Sequence, residues 1–247
     1  MSLFLELSRN CNMSCSHCLR GELQNKYMSG HILRTTLHKL DADDLGIGGG
    51  EPLASSKLMK TLRNALLQAR VSPSYLWIVT NGIGLMRVPK IIKAVAALPI
   101  SEISLAVSVD EYHDADSDTR HFNVKGLTEP YNNITACKHG ADSRSIVGMG
   151  KAASWGTEIT IEPEEDMTYV DIYGYVWPSC DLSYNFMDTN RATPICLGNV
   201  LTDTEEQIKE KRNILIELVD EQLDGKLEVL EHWTSFVELE NKVQVFN

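Results

Sequence analysis

The stretch Leu3-Phe-Leu-Glu-Leu-Ser-Arg-Asn-Cys11-Asn-Met-Ser-Cys15-Ser-His-Cys18 joins a short apolar run to three cysteines within eight residues. Leu3–Leu7 reads as a buried strand, so the cysteines fall in the loop that leaves its end. Thiolate sulfur is the soft ligand of iron–sulfur clusters and of zinc. Zinc ordinarily takes four ligands from well-separated pairs, and His17 is the only other nearby donor. Spacing alone favours iron–sulfur and leaves zinc, or unligated thiols, open.

Outward from that loop, His31–Leu40 reads as a helix and Leu45–Ile47 as a second buried strand. That strand ends in Gly48-Gly49-Gly50-Glu51-Pro52. Glycines at a strand end let the backbone approach a ligand closely, and Glu51 offers a carboxylate to an ammonium group. Taken alone, this segment also suits an ordinary strand-to-helix turn.

The same alternation continues. Leu58, Leu62, Ala65, Leu66 and Ala69 fall at helical spacing after Ser55-Ser56, which can cap. Tyr75–Val79 is strand-like, Val88–Leu98 helical, and Ile103–Val109 a strand followed by an Asp-rich loop to about Phe122. A helix is expected next, with Cys137 buried in it, then strands near Ser145–Met149 and Thr157–Ile161. Strands alternating with helices predict βαβ units and a parallel sheet. Five or six units fit in residues 1–162, fewer than the eight of a closed barrel.

After Glu162-Pro163-Glu164-Glu165-Asp166 the pattern changes. Tyr169–Ile172 and Tyr175–Trp177 flank Gly174 as a hairpin. A long amphipathic helix opens with a Thr204…Gln207 capping box and closes at Gly225. Residues 163–247 are therefore expected to form a separate extension.

The bulk numbers narrow the function. With 247 residues, 43% hydrophobic, the chain can bury a core without disulfide staples. A net charge of −11 and a pI near 5.1 disfavour nucleic acid and anionic membranes as partners. No apolar run approaches a membrane span, and the N-terminus lacks a signal-peptide pattern. Clustered cysteines fit metal ligation in a reducing compartment, so a cytoplasmic location is expected.

CxxxCxxC followed by GGEP, in this order and at this separation, resembles the radical S-adenosylmethionine (SAM) superfamily. The resemblance extends to Thr80-Asn81-Gly82, to Ser108-Val109-Asp110-Glu111-Tyr112-His113-Asp114 and to Gly150-Lys151-Ala152, and it covers residues 1 to about 160. It departs at Lys151, where the family usually has arginine, and at His17, where an aromatic residue usually precedes the last cysteine. It implies an α/β fold, a partial (β/α)6 barrel, with a [4Fe–4S] cluster on Cys11, Cys15 and Cys18. Gly49, Gly50 and Glu51 would hold the methionyl amine of SAM, and Ser108 and Asp110 the ribose. Lys151 and His17 would complete the cofactor site. The implied chemistry is reductive cleavage of SAM to a 5′-deoxyadenosyl radical, fed by a donor such as flavodoxin or ferredoxin.

Residues 169–200 resemble the opening of SPASM or twitch extensions, found in peptide- and protein-modifying members. Cys180 and Cys196 fall near that extension's ligand positions, but no cysteine follows Cys196. A second cluster on them is therefore disfavoured. A peptide or protein substrate is the favoured expectation. Its alternatives are a small metabolite, a glycyl-radical partner enzyme, methyl or sulfur transfer, or a metal-binding module without catalysis. The first strand begins at residue 3, so a peptide substrate is expected to need a separate recognition protein.

Overall fold

A computed structural model describes residues 2–70, 72–110, 112–113, 116–140, 149–153, 159–161, 167–223 and 227–229. Five parallel strands follow one another across the sheet in chain order: β1 (Ser2–Ser8), β2 (Asp44–Gly49), β3 (Tyr75–Thr80), β4 (Glu102–Ser108) and β5 (Ile134–His139). The helices that link them are α1 (Gly30–Lys39), α2 (Ser56–Leu66), α3 (Ile83–Arg87), α4 (Lys90–Ala96) and α5 (Ser117–Thr128). Right-handed β–α–β crossovers keep sequential parallel strands adjacent and put the helices on one face. The expected α/β partial-barrel class is borne out.

Local chemistry accounts for the elements. Ser29 caps α1 by accepting from the Ile32 amide, and Ser55 caps α2 by accepting from Lys57. The buried face of α2 carries Met59, Leu62, Ala65 and Leu66 at helical spacing. β3 alternates buried and half-buried residues, whereas β1 and β4 are buried almost throughout, as strands covered on both faces must be. Gly46 and Gly48 let the Phe4 ring lie across the interior of the wall. A Cβ on Gly46 would stand 2.3 Å from Phe4 Cδ2. Phe4 stacks on Tyr169 at 5.7 Å and meets Trp77 edge-on at 6.1 Å.

Three expectations are corrected. The Asp-rich loop does not run to Phe122, because α5 begins at Ser117. Cys137 is not buried in a helix; it is exposed on β5. The expected helix Val88–Leu98 forms but is shorter, as α4 from Lys90 to Ala96, and a separate short helix, α3, precedes it. Most of the strand expected near 145–149, and the helix end expected at Gly225, lie outside the described residues.

The hairpin forms as expected from β7 (Met167–Val170) and β8 (Tyr175–Trp177), with Gly174 at φ +86. It is not set apart from the barrel wall. β7 pairs in parallel with β1, and β8 and then β9 (Gly198–Asn199) extend the same sheet to eight strands. The short strand β6 (Ile159–Ile161) pairs instead with β10 (Leu227–Val229). Two helices complete this half. α6 (Tyr184–Thr189) is capped by Ser183, and α7 (Glu205–Leu223) opens on the reciprocal Thr204–Gln207 box.

Between β1 and α6 lies a buried charged group. Glu6 and Arg9 are both fully buried and bonded at 2.8 Å. Burial lifts the Glu6 carboxyl from 4.5 to about 7, with Arg9 and Arg20 opposing the rise. Burial also raises Asp171 and Glu51. A carboxyl raised on folding binds protons that the unfolded chain has released. Stability should therefore fall as pH rises from about 4.5 through about 7. Urea unfolding between pH 5 and 8 should show that slope, and Glu6→Gln should flatten its upper part.

Candidate active site

The carboxyl ends of β1–β4, where catalytic sites of β/α barrels collect, open into a cavity of about 570 Å³. That is within the ordinary range for a small-molecule or cofactor site. Cys11, Cys15, His17 and Cys18 line it from the loop after β1. Gly49, Gly50 and Glu51 line it from the loop after β2, Ser108 and Asp110 from the end of β4, and Lys151 from a short 3-10 turn. Cys180 also lines it. Cys196 does not; its thiol is buried and directed to the Gly198 carbonyl at 3.6 Å. All six cysteines are free thiols.

The two motif loops are tied together through the backbone. The Gly50 amide donates to the Ser8 carbonyl, and Glu51 donates to Asn10 at 2.8 Å. Gly49 has φ +113, and a Cβ there would lie 2.3 Å from the Ser8 oxygen; one on Gly50 would lie 2.2 Å from Asn10 oxygen. Only glycine permits this approach. The Lys151 amide donates to the Cys18 carbonyl, and its ammonium donates to Ser14 Oγ at 2.8 Å. The Gly-Lys-Ala turn therefore rests on the cysteine loop.

Glu51 is buried and its carboxylate already has three donors from its own chain. Oε1 accepts from the Leu53 amide at 2.9 Å and from Thr80 Oγ1 at 2.7 Å, and Oε2 accepts from the Asn81 amide at 2.7 Å. Asn81 Nδ2 in turn donates to Asn12 Oδ1 at 2.7 Å and approaches Cys11 Sγ at 3.7 Å. Thr80-Asn81-Gly82 thus links Glu51 to the cysteine loop. In the sequence this triplet stands only as part of the family resemblance, with no role attached; its polar residues after an apolar run were the available signal. Arg120 on α5 was missed altogether, and its Nε donates to the Asn81 carbonyl at 2.8 Å.

Asp110 shapes its own loop, accepting from the Tyr112 and His113 amides at 3.0 Å and pairing with His113 Nδ1 at 2.7 Å. His17 Nε2 lies 3.9 Å from Asp110 Oδ2, and its ring meets His113 edge-on at 4.9 Å. Burial lowers the His17 pKa and outweighs the carboxylate beside it.

Among solved structures the chain is similar to Streptococcus suis SuiB bound to precursor peptide SuiA. Identity is 11% over 83% of this chain and 63% of that one, at a TM-score of 0.42. It is also similar to SuiB bound to S-adenosylmethionine, at 12% identity over 83% and 62% of the two chains and a TM-score of 0.32. The chain spans less than two thirds of the SuiB chain. No family model and no curated protein matches.

The thiols supply the main test of what that site can hold. Burial pushes Cys11 upward, and the negative charges of Glu51 and Cys18 add to the effect. Burial and then Cys18, Cys11 and Asp110 raise Cys15 to about 11. Cys11 and Cys15 therefore sit where thiolate is disfavoured until a cationic group arrives. A single zinc ion would require its sulfurs about 3.8 Å apart, from Zn–S bonds of ~2.3 Å in a tetrahedron. Among the described residues, the side chains close enough to share one ion are His17, Asp110 and His113; the three cysteines do not form such a set. Three thiols from one loop lining a common cavity are a donor set that a [4Fe–4S] cluster with one open iron would accept.

Proposed function

We propose that this chain is a radical SAM enzyme that acts on a peptide or protein substrate. The observation that carries the reading is that the CxxxCxxC loop and the GGGEP loop, tied through Ser8 and Asn10, line one cavity at the carboxyl ends of parallel strands. Cys11, Cys15 and Cys18 would ligate a [4Fe–4S] cluster. Gly49, Gly50 and Glu51 would hold the methionyl part of SAM, with Ser108 and Asp110 toward the ribose and Lys151 and His17 at the rim. When bound, these cofactors supply a one-electron cleavage that gives a 5′-deoxyadenosyl radical able to abstract hydrogen.

The chain's own part is to position and to exclude water. Glu51 locks the loops after β2 and β3 to each other, and Asn81 extends that lock to Cys11. Phe4, Trp77, Val79 and Met167 give the cavity an apolar floor. A peptide substrate is favoured by the resemblance of residues 169–200 to SPASM and twitch openings. A flavodoxin or ferredoxin electron donor belongs to the same proposal, as does an extension, residues 163–247, whose strands β7–β9 join the barrel's own sheet. No helix among the described residues is long and apolar enough to cross a membrane, and free thiols suit the reducing cytoplasm in which we place the reaction.

Anaerobically reconstituted protein given a strong reductant should yield 5′-deoxyadenosine from SAM, measured by chromatography. Retention of zinc without SAM consumption would instead select the non-catalytic metal-binding module.

A further inference from the structure

Arg9 sits two residues before Cys11 and has no exposed surface. Its backbone is held on both sides, with its amide donating to the Lys26 carbonyl and its carbonyl accepting from Gln24. Its guanidinium reaches three carboxylates. Nε donates to Glu6 at 2.8 Å, Nη1 donates to both oxygens of Asp188 at 2.8 and 2.9 Å, and Nη2 stands 3.7 Å from Asp171. The plane is flanked by Tyr184 at 4.5 Å and Tyr173 at 5.1 Å. Glu6 belongs to β1, whereas Asp171 and Asp188 come from the turn after β7 and from α6.

A buried ionic group of this size is a poor way to gain stability, because well-packed apolar side chains usually do as well or better. What it supplies is geometry. A guanidinium offers a rigid planar fork, which a lysine cannot reproduce. The fork here joins the root of the cysteine loop to α6. Tyr184, stacked on the guanidinium, itself lines the cavity and lies within electrostatic reach of Cys18.

We propose that Arg9 is a positioning residue, through which Asp188 on α6 sets the placement of the Cys11, Cys15 and Cys18 thiolates. The inference rests on the reading of those cysteines as cluster ligands and deepens it. The β7–α6 region then acts on the metal centre without supplying a ligand.

The test compares wild type, Arg9→Lys, Asp188→Asn, Asp188→Glu and a control, Val95→Ala, which removes apolar packing on α4 away from the network. Two readouts besides turnover are used. One is cobalt(II) titration of the reduced, cluster-free protein, followed by thiolate-to-cobalt charge-transfer absorbance. The other is the midpoint potential of the reconstituted cluster. Arg9→Lys and Asp188→Asn should weaken cobalt binding about tenfold, the lower end of what partners beyond the first ligand shell contribute. They should also shift the reduction equilibrium about tenfold, equivalent to 59 mV for one electron. Asp188→Glu, which keeps the carboxylate, should restore most of both. Because Arg9→Lys keeps the charge and loses the fork, its effect separates positioning from simple electrostatics.

The proposal is overturned if Arg9→Lys and Asp188→Asn match wild type, or fall only as far as Val95→Ala at equal melting temperature. Should Arg9→Lys not fold, Asp188→Asn decides alone, since Asp188 is only partly buried. Wild type that binds cobalt through thiolates in an Arg9-dependent way but takes up no cluster would uphold positioning and reject the cluster reading. Wild type that takes up the cluster without thiolate–cobalt absorbance leaves the midpoint potential to decide positioning, and wild type that takes up neither metal would reject both.

Discussion

The Cys11/Cys15/Cys18→Ala triple variant should hold near-zero iron after anaerobic reconstitution, against about four irons per wild-type chain. The remaining cysteines are placed too differently to replace them. Cys180 lines the cavity from the segment before α6, apart from the cysteine loop after β1. Cys196 is buried away from the cavity against the Gly198 carbonyl. Cys137 is exposed on β5, with its sulfur 3.6 Å from Ser104 Oγ. Iron is measured by colorimetric assay and the cluster by electron paramagnetic resonance. About four irons surviving in the triple variant, and lost on further Cys180→Ala and Cys196→Ala changes, would establish a second cluster.

Glu51→Gln should weaken SAM binding while the iron content is kept. Reducing a charge-assisted hydrogen bond to the ammonium has an expected cost of roughly 1–3 kcal/mol. The structure adds a second expectation. Both Glu51 oxygens accept from buried donors, so the amide of glutamine must turn its NH₂ toward Leu53 and Thr80 or toward Asn81. One donor is left facing another, and an unsatisfied buried donor costs about 1–3 kcal/mol. The melting temperature should therefore fall as well. SAM affinity is read by titration followed through the cluster's spectrum, and stability by urea unfolding. If only stability falls, Glu51 is a structural brace, and the methionyl contact belongs to the backbone of Gly49 and Gly50.

The first four strands were legible because each is a short apolar run bounded by glycine or turn residues, and most helices between them show an apolar stripe. α5 was hidden by its composition. Its buried positions, Ser117, Arg120, Val124 and Thr128, have helical spacing but only one apolar side chain among them. The edge strand Ile134–His139 is buried only at Ile134, so no periodicity marked it. The cavity-lining cysteines, glycines and acids were readable from motif spacing, since spacing fixes which loop carries each. Arg9 and Arg120 were not, because their partners lie far along the chain. Nor could the hairpin's sequence disclose that β7 takes β1 as a neighbour.

That last pairing has a consequence for how the molecule is made. β1 leaves the ribosome before either of its neighbours, and its β2 side is covered once residues 44–49 follow. Its other side waits for residues 167–170. At bacterial-to-eukaryotic synthesis speeds of roughly 5–20 residues per second, that interval is on the order of 10–30 s. During it the nascent chain presents an unpaired apolar edge, the kind of surface that recruits chaperones or other strands. The same delay leaves the cysteine loop without its Asp188 anchor, so metal delivered during translation would meet a looser nest of thiols than metal delivered to the finished protein.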